Sequence, residues 1–409
     1  MNKQHCIIVG ASHAAGELCS ILRKEGWTGE ITLIGDEEYL PYNRPPLSNT
    51  FLAGDKSVYD LLIRHAEAYE KVDITCLLGV RVESIDRSAK TITLSNESTM
   101  AYDKLVLTTG ARVRHLDIPG ADLQNIFYLR TIYDADQIRP HIRKNQRAVI
   151  IGGGYIGLET AAMLRSAGMQ VSLLERDARI LNRVAAPEIS EFFTRVHLEE
   201  GLELITGIEV SHFSGDKTAR RVHSSDGREI EADLFIVGVG VIPNIELAEA
   251  AGLEVSNGIV VNEFAQSSDP DILAAGDCTY HKNKHYQLWL RLESIQNAVE
   301  QAKVVAKTIC GKQEEYDEIP WFWSDQYDLK LQIAGLSSGY DNLIVRGDLT
   351  QGRKIAVFYF KGQNLLAVDA VNSPQEFMFG KRVLAQGLSL DLARLADNSI
   401  PMRDLVKLD

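Results

Sequence analysis

No two cysteines stand close enough in the chain to make a local redox or zinc motif. The five, Cys6, Cys19, Cys76, Cys278 and Cys310, are odd in number and scattered, without a CxxC or CxxxxC pair. A zinc ribbon and a local redox disulfide are thereby excluded, and a reducing, cytoplasmic compartment is expected. Proline is scarce, 11 against 31 glycines in 409 residues, and 45% of residues are hydrophobic and 24% charged. That balance excludes a disordered tail protein, a collagen-like chain and a small disulfide scaffold. Basic charge is in deficit, with 43 Lys and Arg against 56 Asp and Glu, a net −13. Such an anion repels nucleic acid and anionic membrane, so neither is an expected partner. Long apolar runs are missing too: the longest, near FIVGVGVI, falls short of the roughly 18 residues that span a bilayer. The chain opens MNKQ and enters HCIIVG directly, so no targeting segment is expected.

What is present is one grammar written twice. CIIVG at 6–10, ASHAAGELCSILRKEG and ITLIGDE at 31–37 are echoed by AVIIGGGYIGLETAAMLRSAG at 148–168 and VSLLERD at 171–177. Each reads as strand, glycine-bearing turn, helix, strand and acidic residue, a βαβ unit. In the second helix Ile156, Ala161, Leu164 and Ala167 are expected on the apolar face, with Arg165 off it, and Gly26 and Gly168 are expected to stop the two helices. A strand-rich stretch follows each unit and predicts a small antiparallel meander returning to a strand, LVLTTG in one case and LFIVGVG in the other. From about Pro320, PWFWSDQYDLKLQIAG, KIAVFYFKG and NLLAVDAVN predict an antiparallel sheet, closed by a helix from about Pro374. The fold class expected is therefore α/β, with two Rossmann-like nucleotide-binding domains and a C-terminal α+β domain.

Gly152, Gly154 and Gly157 complete a GxGxxG turn between a strand and a helix. The first glycine permits the turn, the second lets a pyrophosphate approach the backbone, and the third allows close helix packing. Glu175 ends the next strand, where a carboxylate bonds a ribose diol and repels a 2′-phosphate, which favours NADH over NADPH; the adjacent Arg176 pulls the other way. The first turn departs from the pattern: Gly10 is kept, but the second position is Ser12 and the third Ala15. Asp36, ending the second strand of that unit, supports a cofactor site all the same.

PYNRPPLSN at 41–49, LTTGAR at 107–112, GVGVIPN at 238–244, ILAAGDC at 272–278, RLESIQNAVEQA at 291–302 and PWFWSDQYD at 320–328 occur in one order. Together, and over nearly the whole chain, they resemble the FAD-dependent, NADH-using ferredoxin reductases of bacterial oxygenase systems, the putidaredoxin-reductase-like group, with rubredoxin reductases and apoptosis-inducing-factor-like proteins more distant. The resemblance implies a discontinuous FAD-binding domain (1–111 and 239–319), an NADH-binding domain (112–238) and a C-terminal interface domain (320–409) closing over the flavin. It assigns Gly10, Ala14, Ala15 and Asp36 to the FAD pyrophosphate and adenosine, Arg44 and Arg130 to its phosphates and adenine side, and Val82 to a backbone contact at the adenine end. Asp277 is assigned to a ribityl hydroxyl, Ile295 to the flavin carbonyl edge at a helix start, and Trp323 to the isoalloxazine. Where the family reads RPPLSK, this chain has Asn49, so the family's Lys–Glu ion pair with the residue at Glu159 is expected to become a neutral hydrogen bond at best.

The activity implied is hydride transfer from NADH to FAD, then single-electron release to a [2Fe–2S] ferredoxin. Iron–sulfur ligand spacing is absent, so the cluster belongs to a partner. Asn49 and Glu159 are the residues expected at the chemistry. The EEYLPYNRPPLS stretch lacks the cysteine of NADH peroxidases and oxidases. The five cysteines are expected to be structural. His281 and His285, in HKNKH, are expected in a solvated loop and not at a metal, and His13 is either at the FAD or facing solvent. Arg220–Arg221, Arg353–Lys354 and Lys381–Arg382 are solvated charge or, in one case, a docking patch for an acidic ferredoxin. A monomer is expected. The alternative is an NADH-binding flavoprotein with a redox-sensing or scaffold role and slow turnover.

Overall fold

The computed structural model describes residues 3–407. They pack as two compact units. The first takes the chain up to Arg44, Val58–Arg112 and Val241–Pro320; the second takes Pro45–Ser57, Val113–Gly240 and the chain from Trp321 on.

In the first unit five parallel strands run in the order Ile272–Ala274, Lys104–Leu107, His5–Val9, Glu30–Gly35, Ile74–Leu78. Alternation along a strand sends successive side chains to opposite faces. Cys6 and Ile8 accordingly pack beneath the helices His13–Glu25 and Ile295–Ile309, while Ile7 and Val9 meet the antiparallel meander Val82–Asp86, Thr91–Leu94, Thr99–Ala101. The first helix stops at Gly26, which takes φ +108°, so that its N–H reaches the Arg23 carbonyl and the Trp27 N–H reaches that of Leu22. This is a Schellman ending.

The second unit repeats the plan. Its parallel sheet runs Glu203–Thr206, Gln170–Glu175, Arg147–Ile151, Leu234–Val237, Ile126–Tyr128, and the meander Val210–Gly215, Ala219–Ser224, Glu229–Glu231 packs on one face through Phe213 and Val222. The helix Tyr155–Ser166 ends at Gly168 in the same manner as its counterpart ends at Gly26. Its apolar face differs from the expectation: Ile156 is 48% exposed and Ala167 is exposed, and the buried side is carried by Leu158, Ala161, Ala162 and Leu164. Tertiary packing, set by where the strand hands over to the helix, rotated the face away from the two end residues.

The same unit holds an antiparallel sheet in the order Trp321–Gln326, Leu329–Gly335, Asn364–Val371, Ile355–Lys361, Asn342–Gly347. The helix Pro374–Gln386 covers one face, and Gly380 lets it lie directly on Val368, where a Cβ would collide. Among the described residues no helix is long and apolar enough to cross a membrane.

Candidate functional site

In both parallel sheets the glycine turns and the acids stand at the carboxyl ends of the strands, the edge at which open α/β sheets bind their ligands. Gly10 follows the strand His5–Val9 at φ +105°, and a Cβ there would strike the Thr108 carbonyl. Gly152 repeats this at φ +111° against the Gly238 carbonyl, and a Cβ on Gly157 would strike the carbonyl of Gly152. These three glycines are demanded by the protein itself.

Gly154 is different. Its φ of −82° suits any residue, and a Cβ would meet nothing within 4 Å. It is the N-cap of Tyr155–Ser166 and no side chain caps it, so the free N–H groups of the first turn face an open cradle. The missing side chain makes room for something outside the protein, and a pyrophosphate fits that room and that polarity. Glu175 lies at the same turn. Its Oε2 accepts the Gly153 N–H at 2.6 Å and its Oε1 accepts the Asp177 N–H at 2.8 Å. Two backbone donors hold the carboxylate in place and leave it lone pairs for a further donor. Arg176 is turned out, its side chain 71% exposed.

In the first unit Ser12 is the N-cap of His13–Glu25, again with no side-chain capping bond. Its hydroxyl accepts the Arg44 Nε–H at 3.1 Å instead. Arg44 also pairs with Glu37 at 2.7 Å, and Nη1 bonds the Tyr42 hydroxyl, itself donating to Glu37. The serine that departs from the glycine pattern thus anchors an arginine beside the helix N-terminus, a fit for a phosphate. Asp36 pairs with Arg81 at 3.2 Å, both well exposed, and an exposed pair of this kind exchanges partners at little cost. Ala14 is buried, and a Cβ on Gly276, which precedes Asp277, would come into ordinary contact with it. Ala15 is buried beneath the turn, and Val82 begins the meander, also buried. Ile295 opens the helix Ile295–Ile309, whose N-cap Ser294 accepts the Asn297 N–H at 3.1 Å. His13 is buried and starts its helix, so the solvent-facing alternative fails.

Asn49, Arg130, Glu159 and Trp323 belong to the second unit, with the Gly152–Gly157 turn and Glu175. Arg130 precedes the capping box of Thr131 and Asp134, and its N–H donates to Asp134. Trp323 is half-buried, its ring 5.6 Å from that of Trp321. Asn49 falls at the weak end of the expectation, which allowed a neutral hydrogen bond to Glu159 at best. It makes no bond to Glu159; its Oδ1 accepts from the backbone N–H and hydroxyl of Thr50 at 2.5 and 3.2 Å. Glu159 is satisfied by two serines that sequence reading missed: Ser48 Oγ donates to Oε2 at 2.7 Å and Ser324 Oγ to Oε1 at 2.6 Å. Burial raises the Glu159 carboxyl to about 6, against the pull of the two serine hydroxyls. A polar residue on the buried side of the strand Trp321–Gln326 was the available signal for Ser324.

His281 is a second correction. It lies in the strand Thr279–Lys282, only 3% exposed, and burial lowers it to about 4; it is not in a solvated loop. His285 pairs with Asp317 at 3.1 Å. Among the described residues no group of three metal-binding side chains occurs. All five cysteines are free. Cys6, Cys19 and Cys278 are buried, and burial pushes the Cys6 thiol up to about 12, far from a reactive thiolate. The basic clusters are partly neutralised: Arg221 pairs with Glu231, Arg353 with Glu200 and Asp328, while Lys381 lies over the Trp321 ring.

Two dinucleotide-type turns, each at the carboxyl edge of its own parallel sheet and without a redox cysteine pair, define a nucleotide-dependent flavoprotein oxidoreductase. The chain matches the family described as pyridine nucleotide-disulphide oxidoreductases over residues 4–302 and the reductase C-terminal domain over 321–406, and it belongs to this family. It is 43% identical to putidaredoxin reductase CamA of Pseudomonas putida over 98% of this chain and 96% of that one. It is 39% identical to rhodocoxin reductase of Rhodococcus erythropolis over 97% and 93%. Among solved structures, that of the covalent putidaredoxin reductase–putidaredoxin complex superposes with a TM-score of 0.96 at 43% identity, covering 99% of this chain and 98% of that one. The chain is an oxidoreductase of the FAD- and NADH-dependent kind.

Proposed function

We propose that the protein is an NADH-dependent ferredoxin reductase that supplies electrons, through a [2Fe–2S] ferredoxin, to a bacterial oxygenase. The observation that carries the nucleotide half of this reading is the open cradle at Gly154, uncapped and beside a carboxylate fixed by two backbone N–H groups. The full-length likeness to putidaredoxin reductase supports the ferredoxin half. FAD, when bound, accepts a hydride from NADH and hands electrons on singly, chemistry that amino-acid side chains do not supply.

The residues divide the work. Gly10, Ala14, Ala15, Asp36, Arg44, Val82, Asp277 and Ile295 bind and orient FAD within the 1–111 and 239–319 domain. Arg44, anchored on Ser12 and Glu37, faces phosphate charge without having to be ordered first. Gly152, Gly154, Gly157 and Glu175 bind NADH within 112–238, and the acid repels a 2′-phosphate. Asn49, Arg130 and Trp323 keep the flavin-directed assignments that the family resemblance gives them. Glu159, raised by burial to about 6 between two serine hydroxyls, is mostly ionised at pH 7 and takes up a proton just below it. We place the enzyme in the cytoplasm as a monomer, with neither nucleic acid nor membrane as partner, in keeping with its net charge of −13.

The test follows NADH consumption in air by the purified protein, with and without a [2Fe–2S] ferredoxin, with NADPH as control. Slow turnover alone, a strong rise with ferredoxin and poor use of NADPH support the reading. Rapid oxygen consumption indifferent to ferredoxin makes the protein an oxidase. Slow turnover with a persistent NADH–flavin complex favours the sensor role, to which the uncharged Asn49 gives some footing.

A further inference from the structure

Within the first unit, behind Asp277 and Ile295, lies a buried polar network that no part of the hydride chemistry uses. Its centre is Gln301, 1% exposed, on the inner face of the helix Ile295–Ile309. The Gln301 Oε1 accepts the Gly276 N–H at 2.8 Å, the Thr279 hydroxyl at 2.9 Å and, more weakly, the Asn297 amide at 3.4 Å. Asn297 is in turn held by the Tyr316 hydroxyl at 2.9 Å, and it donates to the Leu292 carbonyl at 3.2 Å ahead of the helix. One side-chain oxygen therefore ties the turn that carries Asp277 to the first turn of the helix that begins at Ile295.

The other end of the amide fixes the tautomer of a buried histidine. The Gln301 Nε2 stands 3.2 Å from His281 Nδ1. An amide nitrogen only donates, so Nδ1 accepts and the imidazole carries its proton on Nε2. Nε2 is buried and meets no protein acceptor. The Tyr316 ring stands edge-on to the imidazole at 5.1 Å. A flipped Gln301 amide would set its NH2 against the Gly276 N–H, so this backbone donor selects the amide orientation and, through it, the Nε2–H tautomer of His281.

We propose that Gln301, held by the neutral Nε2–H tautomer of His281, is a positioning residue that locks the Asp277 turn against the start of the Ile295 helix and thereby sets how tightly FAD is retained. This rests on the assignment of Asp277 and Ile295 to the flavin. Gln301→Leu removes the acceptor and leaves the Gly276 N–H unmet, while the Thr279 hydroxyl keeps the Gly276 carbonyl at 2.9 Å. Gln301→Glu keeps an acceptor for them and loses the donor toward His281, which must then present a proton from Nδ1.

The experiment measures FAD release from the holoprotein by flavin fluorescence, and the His281 tautomer by 15N NMR, in wild type, Gln301→Leu, Gln301→Glu and Asp277→Ala. The expected result is release about tenfold faster in Gln301→Leu, the scale of one buried hydrogen-bond acceptor lost. In Gln301→Glu release stays within about threefold of wild type, and the His281 proton moves to Nδ1. Equal release from wild type and Gln301→Leu, or Gln301→Glu as fast as Gln301→Leu with the tautomer unmoved, overturns the proposal. Unchanged release in Asp277→Ala instead overturns the flavin assignment on which it rests.

Discussion

Ser324 donates its hydroxyl to Glu159 at 2.6 Å, joining a strand of the antiparallel sheet to the helix that opens at the nucleotide turn. Together with Ser48 it gives each carboxylate oxygen one donor. Ser324→Ala should cost about 1–3 kcal/mol, the cost of an unmet buried acceptor, and drive the Glu159 carboxyl above its present value of about 6. Urea denaturation at neutral pH and a carboxyl titration by NMR measure the two effects; an unchanged midpoint and an unchanged titration would together refute the role given to the serine.

Glu159 and Asp369 make stability fall as pH rises. Burial raises Glu159 from 4.5 to about 6 and Asp369 from 3.8 to about 7, the latter opposed by its bond from the Tyr359 hydroxyl at 2.7 Å. A carboxyl raised on folding binds its proton more tightly in the native state. Its contribution is therefore complete below the unfolded value and is lost as pH climbs through the folded one. Asp369→Asn should remove a loss of roughly 2–4 kcal/mol between about pH 4 and pH 7. The check is a pair of denaturation series at the two ends of that window, and an unaltered slope against pH argues against the buried acid.

Two glycine-to-alanine changes in one turn should part company. Gly154→Ala meets no protein atom and needs no unusual φ, so the apoprotein should be as stable as wild type, within about 0.5 kcal/mol. The KM for NADH should rise about tenfold or more as the methyl fills the cradle. Gly157→Ala collides with the Gly152 carbonyl and should destabilise by about 2 kcal/mol or more. Melting curves and steady-state kinetics on both variants decide this. An unchanged KM in Gly154→Ala removes the pyrophosphate from that turn.

Glu175→Gln keeps an acceptor for the Gly153 N–H and removes the charge. The NADH-to-NADPH ratio of kcat/KM should fall about tenfold, mostly through improved NADPH use. A ratio that stays put would mean discrimination is made elsewhere.

Asn49→Lys tests the position at which this chain leaves its family. Position 49 directly follows Ser48, which already donates to Glu159, so that carboxylate is the acceptor offered to the ammonium. We expect the Glu159 titration to fall below 6 and NADH-driven flavin reduction to quicken about tenfold. Stopped-flow traces of flavin bleaching give the rate, and a slower variant would show that the amide is tuned as it stands.

The βαβ repeat, the helix stops at Gly26 and Gly168 and the antiparallel sheet after Pro320 were legible because each is dictated by neighbours in sequence: period, turn geometry and left-handed φ. What escaped depends on residues far apart in the chain. Ser48 and Ser324 lie 111 and 165 positions from Glu159, and no local pattern announces that both will be spent on it. His281 sits in a run of lysines and a second histidine that looks solvated, yet its alternate neighbours point inward from a short strand. Ile156 shows the converse: an apolar residue at helical spacing that the packing leaves in solvent.

The first unit is assembled from three separate lengths of chain. Its earliest helix, His13–Glu25, buries Leu18 and Leu22 in a cluster completed by Val305 and Ala306 of the helix Ile295–Ile309. On the ribosome, at about 5–20 residues per second, that face waits roughly 15 to 60 s for its cover, while the intervening Val113–Gly240 segment, already emerged, has its own parallel sheet to form. The first helix to leave the ribosome is thus one of the later ones to be covered, and its apolar face stays open to water while most of the chain is still being made.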